Sequence, residues 1–243
     1  MLSKSQFFIE IGHDYSFVWE KRQKKISLAE QIVMLENNIW EIQTLSEVLS
    51  NVIKKIAGSN IVFLLNTSRS NVSLLDELVI PKYFSSEKYI NSHNKLKNGL
   101  IWLTTVPELV SSTLLEACQI NKINQNRIQA VNTLEYCMAC YYEKLLEATW
   151  LFIPQGDGLR LIIIEAGMIG ISACYFFSNN PNFREKELKR ICLHREQIPK
   201  KVDILTGLSD YRWLEIFMLE KYNIKTTVRD AIETRREMFN SLY

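Results

Sequence analysis

Cys137 and Cys140, three positions apart, have the spacing that thiol or zinc chemistry uses. Zinc needs four ligands, and the nearest further candidates, Cys192 and His194, have only one residue between them. The pair also lies inside an amphipathic helical stretch with no thioredoxin-like strand before it, so two buried small residues are the plain reading. His13, His93 and His194 are scattered, and none stands beside a Ser or Cys as the base of a nucleophile would. Glu10 and Glu165 each close an apolar run and are followed two residues later by glycine, Gly12 and Gly167. Thr206-Gly207 closes a third run. On their own, Glu10 and Glu165 read as turn carboxylates exposed at strand ends. Arg184, Lys189 and Arg190 belong to a basic stretch that Lys200 and Lys201 extend. Glu185, Glu187 and Glu196 interleave with it, which favours a solvated helix face. An anionic lipid surface or an acidic partner is the functional alternative for Arg184, Lys189 and Arg190.

The elements that must position these residues follow from hydrophobic period. Phe7 to Gly12 reads as a strand ending in a turn, and Tyr15 to Glu20 as its returning partner. Ile26 onward fits either a third strand or the start of a helix. Leu45, Val48, Leu49, Val52, Ile53 and Ile56 recur at helical spacing, with Gly58 as the stop. Ile61 to Leu65 is a buried strand. Asn66 to Asn98 is polar and poorly periodic, and predicts small strands and loops. Ile101 to Thr105 is a strand, Pro107 opens a helix to about Ile120, Ile128 to Thr133 is a strand, and Leu134 to Thr149 a helix. Pro154-Gln-Gly-Asp-Gly158 is a turn at which a lobe boundary is expected. Leu159 to Phe177 reads as a hairpin turning at Glu165 to Gly170. Phe183 to Cys192 is a basic helix, Val202 to Gly207 a strand and turn, Asp210 to Tyr222 a helix, and Val228 to Leu242 a terminal amphipathic helix. No internal repeat is visible beyond recurring strand-turn-strand units.

The chain has 243 residues, 47% hydrophobic and 23% charged, which suits one large domain or two lobes. A net charge of +2 gives no electrostatic case for nucleic acid, and no aromatic platform accompanies the basic stretch. The apolar patch at Phe7-Phe8-Ile9 is too short for a signal peptide. The run from Leu161 to Phe177 is shorter than a membrane span and holds Glu165, Gly167 and Gly170. The cysteine count is five, an odd number, and most lie in apolar stretches, as reduced cytosolic thiols do.

Three segments, in order, resemble the signature turns of the actin-like ATPase (RNase H-like) fold. Ile9-Glu10-Ile11-Gly12 with its return strand resembles the first phosphate hairpin. Ile162-Ile163-Ile164-Glu165-Ala166-Gly167 with its return strand resembles the second. Ile204-Leu205-Thr206-Gly207, followed by a helix, resembles the adenosine segment. With the helix, strand and helix between them, the layout is similar to the cytoplasmic PilM-, GspL-, MshI- and BfpC-like proteins of type IV pilus and type II secretion systems. The resemblance implies a two-lobed α/β chain. The first lobe would span 1–155 with a small inserted subdomain around 66–105, and the second 156–243 with its C-terminal helix packed back on the first.

In active members of that fold, glycine lets the backbone approach ATP phosphates and an Asp in each turn holds Mg²⁺. The resemblance therefore makes Glu10, Gly12, Glu165, Gly167 and Gly207 the remnant of a nucleotide site. His13, Asp14, Met168, Ile169 and Leu208 stand where phosphate contacts would be. The expectation is a non-enzymatic scaffold without a cofactor, with weak ATP–Mg²⁺ binding left open. Its implied place is the cytoplasm, peripheral to a bacterial inner membrane. Its implied partners are the cytoplasmic tail of an inner-membrane assembly protein and the motor ATPase, with a homodimer also open. A small-molecule kinase or nucleotide-binding regulator of the same fold is the alternative.

Overall fold

The computed structural model describes residues 5–13, 15–33, 39–56, 58–68, 70–76, 89–146, 148–155, 158–165, 167–176, 186, 201–205 and 212–243. Gly207, Arg184, Lys189 and Arg190 lie outside them, as do Asp14, Leu208 and the rest of the basic helix but Lys186.

Strands β1 (Gln6–Ile11), β2 (Tyr15–Arg22) and β3 (Lys25–Val33) form an antiparallel meander. Helix α1 (Ile42–Ile56) then leads to β4 (Asn60–Leu65), which pairs in parallel with β1. Gly58, at φ +83°, ends the helix in the left-handed region that glycine enters without a Cβ clash. The open choice at Ile26 resolves to strand.

Three short strands follow: β5 (Asn71–Leu75), β6 (Tyr89–Lys95) and β7 (Ile101–Pro107), a separate small sheet in the order β5-β7-β6. Pro107 occupies the N-cap of α2 (Glu108–Ile120), after which β8 (Ile128–Thr133) pairs in parallel with β4. Helix α3 (Leu134–Leu145) stops at Leu146, which is left-handed at φ 59°.

Strands β9 (Thr149–Gln155), β10 (Gly158–Glu165) and β11 (Met168–Phe176) form a second antiparallel meander. β12 (Val202–Leu205) pairs in parallel with β9, helix α4 (Arg212–Tyr222) follows, and β13 (Thr226–Arg229) pairs in parallel with β12. The last helix, α5 (Ala231–Leu242), begins at Asp230, whose side chain accepts from the Glu233 N–H at 2.7 Å. The terminal helix expected from Val228 therefore starts later, because Thr226–Arg229 is an edge strand.

The sheet orders β3-β2-β1-β4-β8 and β11-β10-β9-β12-β13 are the same pattern twice. The chain therefore builds one topology twice, a repeat that its letters do not display. β9 is the counterpart of β1, so the boundary expected after residue 155 falls inside the β9–β10 hairpin. The second unit instead begins where Leu146 breaks α3.

Side-chain alternation sorts the core into three parts. Phe7, Ile9 and Ile11 face α1 and α2. Trp150, Phe152, Leu161 and Ile163 face α4. The opposite faces of both sheets share one core with α3 and α5: Phe8, Trp19, Leu151, Ile153, Ile162 and Phe239 all belong to it. Phe239 stacks on Phe8 at 4.6 Å, so the C-terminal helix lies on the first sheet. Each such buried side chain contributes roughly 1.5–3 kcal/mol.

Candidate functional site

Glu10 follows Phe8 on the face of β1 that looks into the shared core, and it is fully buried. That burial corrects the reading of Glu10 as an exposed turn carboxylate. Arg235, from the buried stripe of α5, donates from Nε to Glu10 Oε2 at 2.5 Å and from Nη2 to Oε1 at 2.7 Å. The Tyr15 hydroxyl donates to Oε1 at 2.7 Å, and Asn66 Nδ2 donates to that hydroxyl. The guanidinium also lies over the Phe17 ring, 5.3 Å from its centroid. Burial works against the Arg235 charge, but Glu10 and then Tyr15 outweigh it and raise its pKa. Burial and the adjacent carboxylate together hold the Tyr15 phenol well above its ordinary range.

Gly12 is a glycine for the same local reason. A Cβ there would sit 2.5 Å from the Tyr15 ring, which lies over the turn, and the Gly12 N–H already donates to the Tyr15 carbonyl at 2.9 Å. His13 is exposed.

The second sequence-derived turn is elsewhere. β10 runs antiparallel to β9, so Glu165 and Gly167 lie at the end of the second sheet opposite the β9–β10 turn. They correspond to the β2–β3 turn of the first unit, and no nucleotide hairpin can combine them with Gly12. Gly167, at φ +73°, is required by α3: a Cβ would meet Leu146 Cδ2 at 2.7 Å. Glu165 is exposed there. The true counterpart of Glu10, on the same face and at the same end of its strand, is Gln155.

Gln155 anchors a second buried cluster. Its Nε2 donates to Glu135 Oε2 at 3.1 Å, and Arg160 Nε donates to its Oε1 at 3.2 Å. Arg160 Nη2 donates to the Ser70 carbonyl at 2.8 Å and stands 3.6 Å from Glu135 Oε1, while Ser70 Oγ donates to that same oxygen at 2.6 Å. Glu135 sits in the first turn of α3, where the helix dipole favours its charge. The two clusters touch: Asn66 Nδ2 also reaches the Pro154 carbonyl at 3.4 Å.

A third buried carboxylate, Asp203, accepts from Tyr142 Oη at 2.8 Å and Arg229 Nε at 3.2 Å. Cys137 is buried and Cys140 half-buried on α3. Desolvation pushes the Cys137 thiol up to about 12. Among the described residues no cluster of three metal-ligating side chains occurs.

No protein-family model matches the sequence, and no curated protein matches it. Solved structures do. A Bacteroides thetaiotaomicron protein with actin-like ATPase fold and unknown function superposes at TM-score 0.69, covering 98% of this chain and 96% of that one at 12% identity. The chain has the actin-like ATPase fold. A chain of a PilM–PilN type IV pilus biogenesis complex aligns at TM-score 0.67 and 10% identity, over 94% of this chain and 89% of that one. The cytoplasmic domain of EpsL, an inner-membrane component of the Vibrio cholerae type II secretion system, aligns at 0.60 and 8%, over 98% and 95%.

Among the described residues, those at the ends of β1 and β9 do not fit the Mg²⁺–nucleotide that this fold implies. The carboxylate at the end of β1 is taken by an arginine of the same chain, the glycine beside it is covered by Tyr15, and an amide, Gln155, stands at the matching place on β9. Sequence reasoning missed Arg160 and Arg235. Their signal was a lone arginine inside Leu159–Ile164, and an arginine on the stripe that carries Met238 and Phe239.

Proposed function

We propose that this chain is a non-catalytic scaffold on the cytoplasmic side of a type IV pilus or type II secretion inner-membrane assembly. In this reading it binds the cytoplasmic tail of a membrane partner and, through a second surface, the motor ATPase. The observation that carries the reading is Arg235 bound to Glu10. An actin-like fold is retained while the place where its nucleotide chemistry would occur is filled by the chain's own side chains. A fold kept without its reaction is suited to presenting surfaces. The likeness to a chain of the PilM–PilN complex and to the EpsL cytoplasmic domain supports the choice of machine. Among the described residues no helix is long and apolar enough to cross a membrane.

The test is direct binding. Synthetic peptides of the cytoplasmic tails of inner-membrane pilus and secretion proteins from the same genome are titrated into the full chain. Saturable binding of one tail, unaffected by MgATP, is expected. Absence of binding by every tail overturns the assignment.

A further inference from the structure

Each unit of the duplicated fold sends its last helix into the other unit. α5 follows β13 of the second sheet, yet its Arg235 binds Glu10 on β1. α3 follows β8 of the first sheet, yet its Glu135 binds Gln155 on β9 and lies 3.6 Å from Arg160 on β10. The polarities are reversed. In the first pair the helix brings the cation and the strand the anion; in the second the helix brings the anion and the strand the cation. Both are sealed from water, with side-chain exposures of 3% and 0% for Arg235 and Glu10, and 1% and 0% for Arg160 and Glu135.

We infer that these two ion pairs are reciprocal latches that hold the two units in one closed orientation without any ligand. The shared apolar core supplies attraction but little direction, and it tolerates small rotations of one sheet over the other. A buried ion pair does not tolerate them. Turning either unit pulls a charge from its partner in a site that water does not reach, and leaves it uncompensated. The two-point grip of Arg235 on Glu10 adds an angular requirement to the distance. Asn66, bridging Tyr15 and the Pro154 carbonyl, ties the two strand ends together between the latches. The inserted sheet closes a third side, where Asn98 Nδ2 donates to the Ile169 carbonyl at 3.2 Å. The closed orientation that other chains could take from a bound ligand is here written into the sequence. The inference does not depend on the pilus or secretion reading.

The experiment is a distance measurement between spin labels at exposed Gln119 on α2 and exposed Glu220 on α4, introduced as non-native amino acids so that the cysteines stay untouched. The wild-type chain is expected to give one narrow distance, unchanged by MgATP. Glu10→Gln and Glu135→Gln are each expected to broaden it or to add a second maximum. Should either fail to fold, Glu10→Leu/Arg235→Met decides: apolar partners keep the space filled but remove the direction, so a folded, broadened distribution is expected. A wild-type chain with two distances that MgATP merges into one overturns the latch. So does any folded latch variant with the wild-type distribution. Failure of every tail peptide to bind would leave this result standing, so the two readings fail separately.

Discussion

Arg235 and Glu10, 225 positions apart in the chain, meet in the shared core through two hydrogen bonds with neither side chain open to water. Removing one member leaves the other without its ion-pair partner in a site closed to water. Arg235→Met is therefore expected to lower unfolding free energy by about 3–5 kcal/mol, whereas Glu10→Leu/Arg235→Met recovers most of the loss. Urea denaturation of the two single variants and the double one gives the coupling between the positions directly.

The glycines of the two sequence-derived turns are expected to matter for packing. Gly12→Ala places a methyl against the Tyr15 ring and is expected to cost about 1–3 kcal/mol. Gly167→Ala meets Leu146 and adds left-handed strain, so its loss is expected to be of the same order, about 1–3 kcal/mol. Thermal unfolding checks both, and a neutral Gly12→Ala contradicts the placement of Tyr15.

Stability should also carry a pH signature from Glu143. Its side chain is buried, and Lys97 Nζ stands 4.0 Å away, too far and too exposed to offset desolvation. Burial raises the Glu143 pKa, against the lowering effect of Lys97. A carboxyl whose folded pKa is raised binds more protons folded than unfolded, so it favours folding below its unfolded pKa. That contribution is lost as pH rises through the folded value. Glu143→Gln is thus expected to raise the melting temperature at neutral pH and to flatten its fall between acid and neutral pH. A variant with unchanged pH dependence contradicts this.

Thiol reactivity gives a fourth check. Burial pushes Cys118 up to about 11 and Cys137 up to about 12, so neither is a thiolate at neutral pH. Alkylation mapped by mass spectrometry is expected to spare both in the folded chain and to reach both in denaturant. Rapid modification of native Cys137 would contradict its burial.

Much of the first unit was legible because its signals are local: the alternation of Phe7 to Ile11, the helical spacing from Leu45 to Ile56, and Pro107 before α2. The second unit was read out of register. No glycine or proline separates α3 from β9, since Leu146 supplies the left-handed turn, and Pro154 near the end of β9 argues against a strand. A helix extended to Thr149 and a turn from Pro154 leave no strand between them, so β10 takes the role of β9 and Glu165 the place that belongs to Gln155. The pairing of Glu10 with Arg235 was illegible for a different reason. Helical period shows that an arginine lies on a buried stripe, but a partner 225 positions away is fixed only by the fold.

The end of β1, where Arg235 holds Glu10, is closed to nucleotide. Isothermal titration of the full chain with ATP and excess Mg²⁺, run to about millimolar ligand, reads this without any assumption about partners. The expected result is no saturable heat and no phosphate release. Saturable binding in the micromolar range (about −8 kcal/mol), abolished by Glu10→Gln, would contradict it.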